Sequence, residues 1–174
     1  MKAGFHGQEE LEDIVVRKQE EILSAGMSLW GYGGSVCHPT RQIQPLCSLF
    51  GDRTIPVKFV LTVSRPLLAM HQTATEYSTN GNTWEKIPKT IRVTASKYAL
   101  VLGQLVWDVS WLDLANFEVA VGPCEGTPLQ DYFRGRVDKA CARARSNEAP
   151  ELASPRLRVE LVGELLPPYA VFVR

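Results

Sequence analysis

The chain has no apolar run near the roughly 20 residues that a membrane-spanning helix requires, so no helical span is expected. It has no closely spaced cysteine pair. Cys37, Cys47, Cys124 and Cys141 lie far apart, which argues against a disulfide scaffold and a CxxC metal or redox motif. It has no excess charge of either sign: Lys plus Arg and Asp plus Glu number 19 each in 174 residues. Bulk charge therefore points to neither nucleic acid nor a membrane surface. The opening Met1–His6 lacks the apolar segment of a secretory signal. With the scattered thiols, this makes a cytoplasmic protein the expectation. Also missing are a GxGxxG fingerprint, a P-loop and a GxSxG nucleophile elbow. Cys37 and His38 are adjacent, and neighbours on an extended chain point apart. Neither a thiol–imidazole dyad nor a zinc site completed by Cys47 is expected, and no metal is assigned.

What is present is enough to fold. Apolar residues make up 45% of the chain, sufficient for a full core without staples, and the length suits one domain over 1–174. The clearest element is an amphipathic helix over 9–25. Leu11, Ile14, Val15, the Lys18 stem, Ile22 and Ala25 share one face. Glu9, Glu10, Glu12 and Asp13 crowd its start, where the macrodipole favours acids. Asp13 and Arg17 are spaced to pair, and Gly26 marks the exit.

Further along, 57–63 reads as a strand ended by Pro66, and 67–77 as a short helix. Asn80-Gly81-Asn82 signals a turn, and 91–94 a short strand. Residues 98–109 read as one long strand or a pair broken at Gly103, and 117–121 as another strand. A second helix is expected over 129–145, and strands over 156–161 and 169–173 on either side of Pro167-Pro168. Trp84, Trp107 and Trp111 are expected to pack on the sheet. Helices near both ends and strands between them, without regular βαβ alternation, predict α+β. The expected architecture is a mainly antiparallel central sheet, an N-terminal amphipathic helix and a second helix late in the chain.

The most distinctive stretch is Leu29-Trp30-Gly31-Tyr32-Gly33-Gly34, followed by Cys37-His38-Pro39. Glycines allow positive φ and close backbone approach, and two aromatics between them suit a flat apolar wall. The expectation is a loop at which Trp30, Tyr32 and His38 meet a nucleotide-like ligand and the amides of Gly31, Gly33 and Gly34 face an anion. The rival reading is a loop pinned by its own aromatics.

His6-Gly7, then the helix, Ile22 to Met27, a glycine-rich segment and the strand Phe59–Val63 follow one another in that order. This order resembles the NAD-binding core of the ADP-ribosyltransferase superfamily. The resemblance implies NAD as cofactor and a glycosyl (ADP-ribosyl) transfer, with His6 on a ribose hydroxyl and the Gly7 backbone on the nicotinamide amide. In that family an aromatic on the next motif stacks on nicotinamide. Here the strand offers Phe59, Thr62 and Ser64, with Tyr77 beyond it. A late acid would steady the oxocarbenium-like transition state, and Glu118 or Glu164 would supply it. Such chemistry needs ribose orientation and charge stabilisation more than a strong nucleophile.

The other class is a non-catalytic interaction protein docking a protein or nucleic acid. Its means would be the Trp/Tyr/Gly loop and a basic helix over 131–145 carrying Arg134, Arg136, Lys139 and Arg143, whose spacing could follow phosphates.

Overall fold

The computed structural model describes residues 2–3, 9–32, 57–63, 72–95, 97–134, 140–146 and 155–174. Its elements in chain order are β1 (Lys2–Ala3), α1 (Leu11–Ala25), β2 (Ser28–Tyr32), β3 (Val57–Val63), β4 (Gln72–Thr73), β5 (Glu76–Ser78) and β6 (Glu85–Lys86). There follow β7 (Thr94–Ala95), β8 (Tyr98–Asp113), a 3-10 turn (Leu114–Asn116), β9 (Phe117–Val119), α2 (Leu129–Tyr132), β10 (Ala142–Ala144) and β11 (Arg156–Val173).

The two longest strands, β8 and β11, form the spine, antiparallel from Asp113 opposite Arg156 to Tyr98 opposite Phe172. β2 lies along the other side of Tyr98–Leu102, and β3 along Leu161–Leu165 of β11. β5 and β6 extend the sheet beyond Phe172, and β1 adds parallel to β3. The result is α+β, with a seven-stranded sheet that is antiparallel except at β1.

Tyr98-Ala-Leu-Val-Leu102 is apolar without alternation because both of its faces are covered. Tyr98, Leu100 and Leu102 point into a cluster with Leu11 and Val15 of α1, Trp30, Phe59, Leu161 and Tyr169. Ala99 and Val101 point the other way, joining Leu29, Val171 and Val173 beneath Ala74, Ile87, Ile91 and Val93. A third, smaller cluster of Leu114, Val119 and Leu129 sits at the far end of the spine, against Leu112 and Leu157.

The ladder is interrupted three times. Ser110 faces Val159 and Trp107 faces Leu161, so Asp108 and Val109 together oppose Glu160 in a β-bulge. Gln104 faces Glu164 and Leu102 faces Leu165, which leaves Gly103 over. A Cβ at Gly103 would lie 2.6 Å from the Leu166 side chain. Between Leu165 and Ala170, β11 leaves the ladder through Leu166-Pro167-Pro168-Tyr169, with a cis Pro167–Pro168 bond. Tyr169 returns at φ 66, unusual for a bulky residue, with its side chain fully buried.

Several expectations change. The helix ends at Gly26 as read, with φ 74 and its N–H on the Ile22 carbonyl. Leu29–Tyr32 belongs to β2 rather than a loop: Leu29 and Trp30 bury opposite faces, and Gly31 lies opposite Ala99. Residues 72–73 and 76–78 are strands, not the end of a helix. Of the two readings of 98–109, the single long strand is the one that forms; it runs on to Asp113, with Gly103 absorbed in a bulge. The long basic helix does not form. Among the described residues of 129–145, helix is confined to Leu129–Tyr132, and Ala142–Ala144 pairs with β9. Pairing of Ala142–Ala144 with Phe117–Val119 overrides the helical spacing of that stretch. The terminal strands are one strand, β11.

Candidate functional site

The expected site residues fall in different places. His6, Gly7, Gly33, Gly34, His38, Arg136 and Lys139 lie outside the described residues, and for Tyr32 only the strand is described. Trp30 is 7% exposed, its ring centre 5.5 Å from that of Phe59 within the first cluster. Gly31 is held in β2. The Tyr77 hydroxyl donates to Glu85 at 2.8 Å, which raises its pKa, at the β5–β6 end of the sheet.

Glu118 is on β9, where its carboxylate accepts from Arg143 at 2.7 Å. Arg143 also reaches Glu125 at 3.2 Å. Glu164 is on β11, opposite Gln104 and Lys58. Since Phe59 opposite Gly163 faces the α1 side, Glu164 faces away from it. Glu118 and Glu164 thus occupy different sheets, and Trp30 is packed on the opposite face from Glu164. Arg134 is paired with Asp131 at 3.3 Å. Arg145, at the end of the same expected helix, donates to the Ala115 carbonyl at 3.3 Å rather than to an acid.

The densest concentration of perturbed groups is elsewhere, between α1, β2 and the segment leading into β7. The Glu21 carboxylate accepts four hydrogen bonds. Oε1 takes Arg17 Nη1 and the Arg92 N–H, both at 3.0 Å. Oε2 takes Lys18 Nζ at 2.8 Å and Ser28 Oγ at 2.5 Å. Lys18 Nζ donates also to the Arg92 carbonyl at 2.6 Å, and Arg17 makes a two-pronged pair with Glu9 at 2.8 and 2.9 Å.

Lys18, Glu21 and Ser28 are buried. Burial alone would raise the Glu21 pKa. Hydrogen bonds from Lys18, Ser28 and the Arg92 N–H outweigh it and hold the group below its ordinary value. Burial lowers Lys18 to about 8, against its pairing with Glu21. Perturbed groups often mark active sites. Here both carboxylate oxygens are fully engaged by the protein itself, so the arrangement is a clamp tying the helix to Ser28 and Arg92. The sequence placed Lys18 on the buried face through its stem. It gave no sign of Arg92, 71 positions beyond Glu21, whose backbone completes the network.

Cys141 is no better a reactive centre: burial pushes its thiol up to about 11, so it stays protonated at neutral pH. No group of three or more His, Cys, Asp or Glu is placed to hold a metal among the described residues, nor is any described helix long and apolar enough to cross a membrane.

The surface itself holds the remaining candidate. Past Leu105, β8 runs beside β11 alone among the described strands, and its side chains emerge. Trp107 is 46% exposed, Val109 62% and Trp111 63%, with Val106 also exposed. This corrects the expectation that Trp107 and Trp111 pack on the sheet. Val106 lies opposite Val162 and Trp111 opposite Arg158, and even-numbered positions of β11 share a face. The bulge turns Asp108 and Val109 to that same face, beside Glu160. Trp107, opposite Leu161, faces the α1 side.

The patch is thus a strip of Val106, Val109 and Trp111 bordered by Asp108, Arg158 and Glu160, the last two paired at 3.4 Å. Strict alternation in the sequence would put Trp107, Val109 and Trp111 on one face; the bulge separates Trp107 from the other two. The chain matches no protein-family model, no curated protein and no solved structure.

Proposed function

We propose that the protein is a non-catalytic interaction module that docks a protein partner through the outer half of β8. The observation that carries this reading is Trp111 at 63% exposure beside Val106 and Val109, next to Arg158. Trp and Arg are enriched among residues that dominate binding energy, and exposed apolar strips of this kind mark interaction surfaces. The border favours protein over nucleic acid. Asp108 and Glu160 offset Arg158, and Arg134 and Arg143 are neutralised by Asp131, Glu118 and Glu125. A phosphate-tracking surface needs unopposed cations.

Glycosyl transfer from NAD is the competing reading, and it rests on His6-Gly7 outside the described residues. Around its other members the geometry lends less support: Trp30 is packed against Phe59, and Glu118 is tied to Arg143.

The test compares the whole chain with its Trp111→Ala variant in capture from native extract, with Glu125→Ala as a surface control. Docking through β8 requires a partner retained by the parent and the control and lost by Trp111→Ala. Equal capture by all three would sink it. Calorimetric binding of NAD that is abolished by His6→Ala would reverse the order of the two readings.

A further inference from the structure

The outer half of β8 offers an edge as well as a face. Its start is closed by α1, where Gln19 Nε2 donates to the Leu105 carbonyl at 2.9 Å. From Val106 to Trp111 the only strand beside it, among those described, is β11. An open edge next to exposed Trp and Val is a template for a further strand.

The bulge restricts which strand fits. Val106, Asp108, Val109 and Trp111 face one way, and Trp107 and Ser110 the other. A regular strand alternates faces at every residue. Laid along this edge, it would agree with β8 on one side of the bulge and be inverted on the other. A strand with the same bulge has no such conflict, and a second copy of this chain supplies one.

We propose that the Val106–Trp111 edge pairs antiparallel with the same edge of a second copy of this chain, about a twofold axis between Asp108 and Val109. This rests on reading the outer ribbon as a docking surface, and it names the partner. In this register every facing pair lies on one side of the joined sheet. Val106 meets Trp111 of the second copy, Trp107 meets Ser110, and Asp108 meets Val109. Moving the axis by half a residue or one residue either way sets inward positions against outward ones. The register also keeps the two Asp108 carboxylates from opposing each other directly. Each Val106–Trp111 contact occurs twice, as an isologous interface demands. It pairs a β-branched with an aromatic side chain, a favourable cross-strand combination.

Sedimentation equilibrium of the whole chain tests this, with two substitutions at the exposed Val109. Val109→Asp sets Asp against Asp108 twice. The dimer should weaken by roughly ten-fold, from two like-charge cross-strand pairs. Val109→Lys sets Lys against Asp108 twice and should tighten the dimer several-fold at low salt, an effect that added salt removes. An axis on Val109 itself would set Lys against Lys and weaken it, so the sign of the Val109→Lys effect reads the register. Thermal melting confirms that both variants fold.

A chain that stays monomeric at its highest soluble concentration overturns the proposal, as does a dimer indifferent to both substitutions. A monomer whose partner capture still depends on Trp111 overturns only the twin pairing and leaves the docking reading standing. A dimer that responds as expected to both substitutions, with capture that never depended on Trp111, supports the pairing and removes heterologous docking.

Discussion

The two halves of β8 are similar in apolar character and opposite in fate. Tyr98–Leu102 is covered on both faces, by α1 and Trp30 on one and by Ile87, Ile91 and Val93 on the other. Val106–Asp113 has β11 beside it and leaves Trp107, Val109 and Trp111 largely in water. Apolar, β-branched and aromatic content makes a strand; it does not decide whether that strand is inside. What decides is how far the neighbours extend, and here they stop near Leu105. The clamp around Glu21 belongs to the same contrast, because it fastens α1 beside the inner half.

The sharpest way to break the contrast is at the clamp. Glu21→Ala would leave the Lys18 ammonium buried without its carboxylate, a change that costs about 3–5 kcal/mol. Urea denaturation should show the loss, and a cost under about 1 kcal/mol would mean that the helix is held by its apolar face alone.

Leu102→Ala, at a fully buried inner position, should cost about 2–5 kcal/mol, read from the same curves. Gly163 comes next. A Cβ there would collide with the Gln104 carbonyl oxygen, which is backbone and cannot step aside. Gly163→Ala should cost about 1–3 kcal/mol. Gly103→Ala should cost less, because the atoms it meets belong to the exposed Leu166 side chain. A larger loss at Gly103 than at Gly163 would show that the bulge, not the collision, governs this crossing.

The pH dependence should carry the mark of the clamp at both ends. Glu9 and Glu21 are held below their ordinary 4.5, Glu9 chiefly by its hydrogen bond from Arg17. Their contribution is present above that value and is lost as pH falls through the lower folded values. Lys18, lowered to about 8 from 10.5, gives a slope of the same sign in an alkaline window. Between those values the unfolded chain binds more protons, so this group's contribution rises with pH. Lys18→Met should flatten that rise while leaving the acid limb; an unchanged alkaline slope would assign it to another group.

The smallest effects should be in the outer half. Val109→Ala and Trp111→Ala should alter stability by no more than about 0.5 kcal/mol, while changing docking. A large stability loss at either would mean that the outer half is held as firmly as the inner one.

Much of the fold was legible where one segment carries its own signal. Leu11–Ala25 has an apolar stripe, acids at its start and Gly26 at its end, and Val57–Val63 has a dense β-branched run. Legibility failed where a distant segment decides. Trp30-Gly31-Tyr32 looked like a loop because of its glycines, yet pairing with Tyr98–Leu100 makes it a strand. Arg143 looked like one residue of a helix face, yet Glu118, 25 positions earlier, holds it across a two-stranded sheet. The patch on β8 was missed for the same reason. Whether Trp111 is covered depends on Arg158, 47 positions away by number, and on how far β2 and α1 reach, which no local pattern records.

The departure of Leu166–Tyr169 from the ladder has one more consequence. Long antiparallel strands of similar composition can slide past one another by two residues and keep their faces. β8 and β11 cannot, because the excursion must fall opposite Val101 and Tyr169 has a single buried place to return to. It works like the notch on a key. Of the many alignments two such strands offer, one engages, and the folding chain can tell when it has found it.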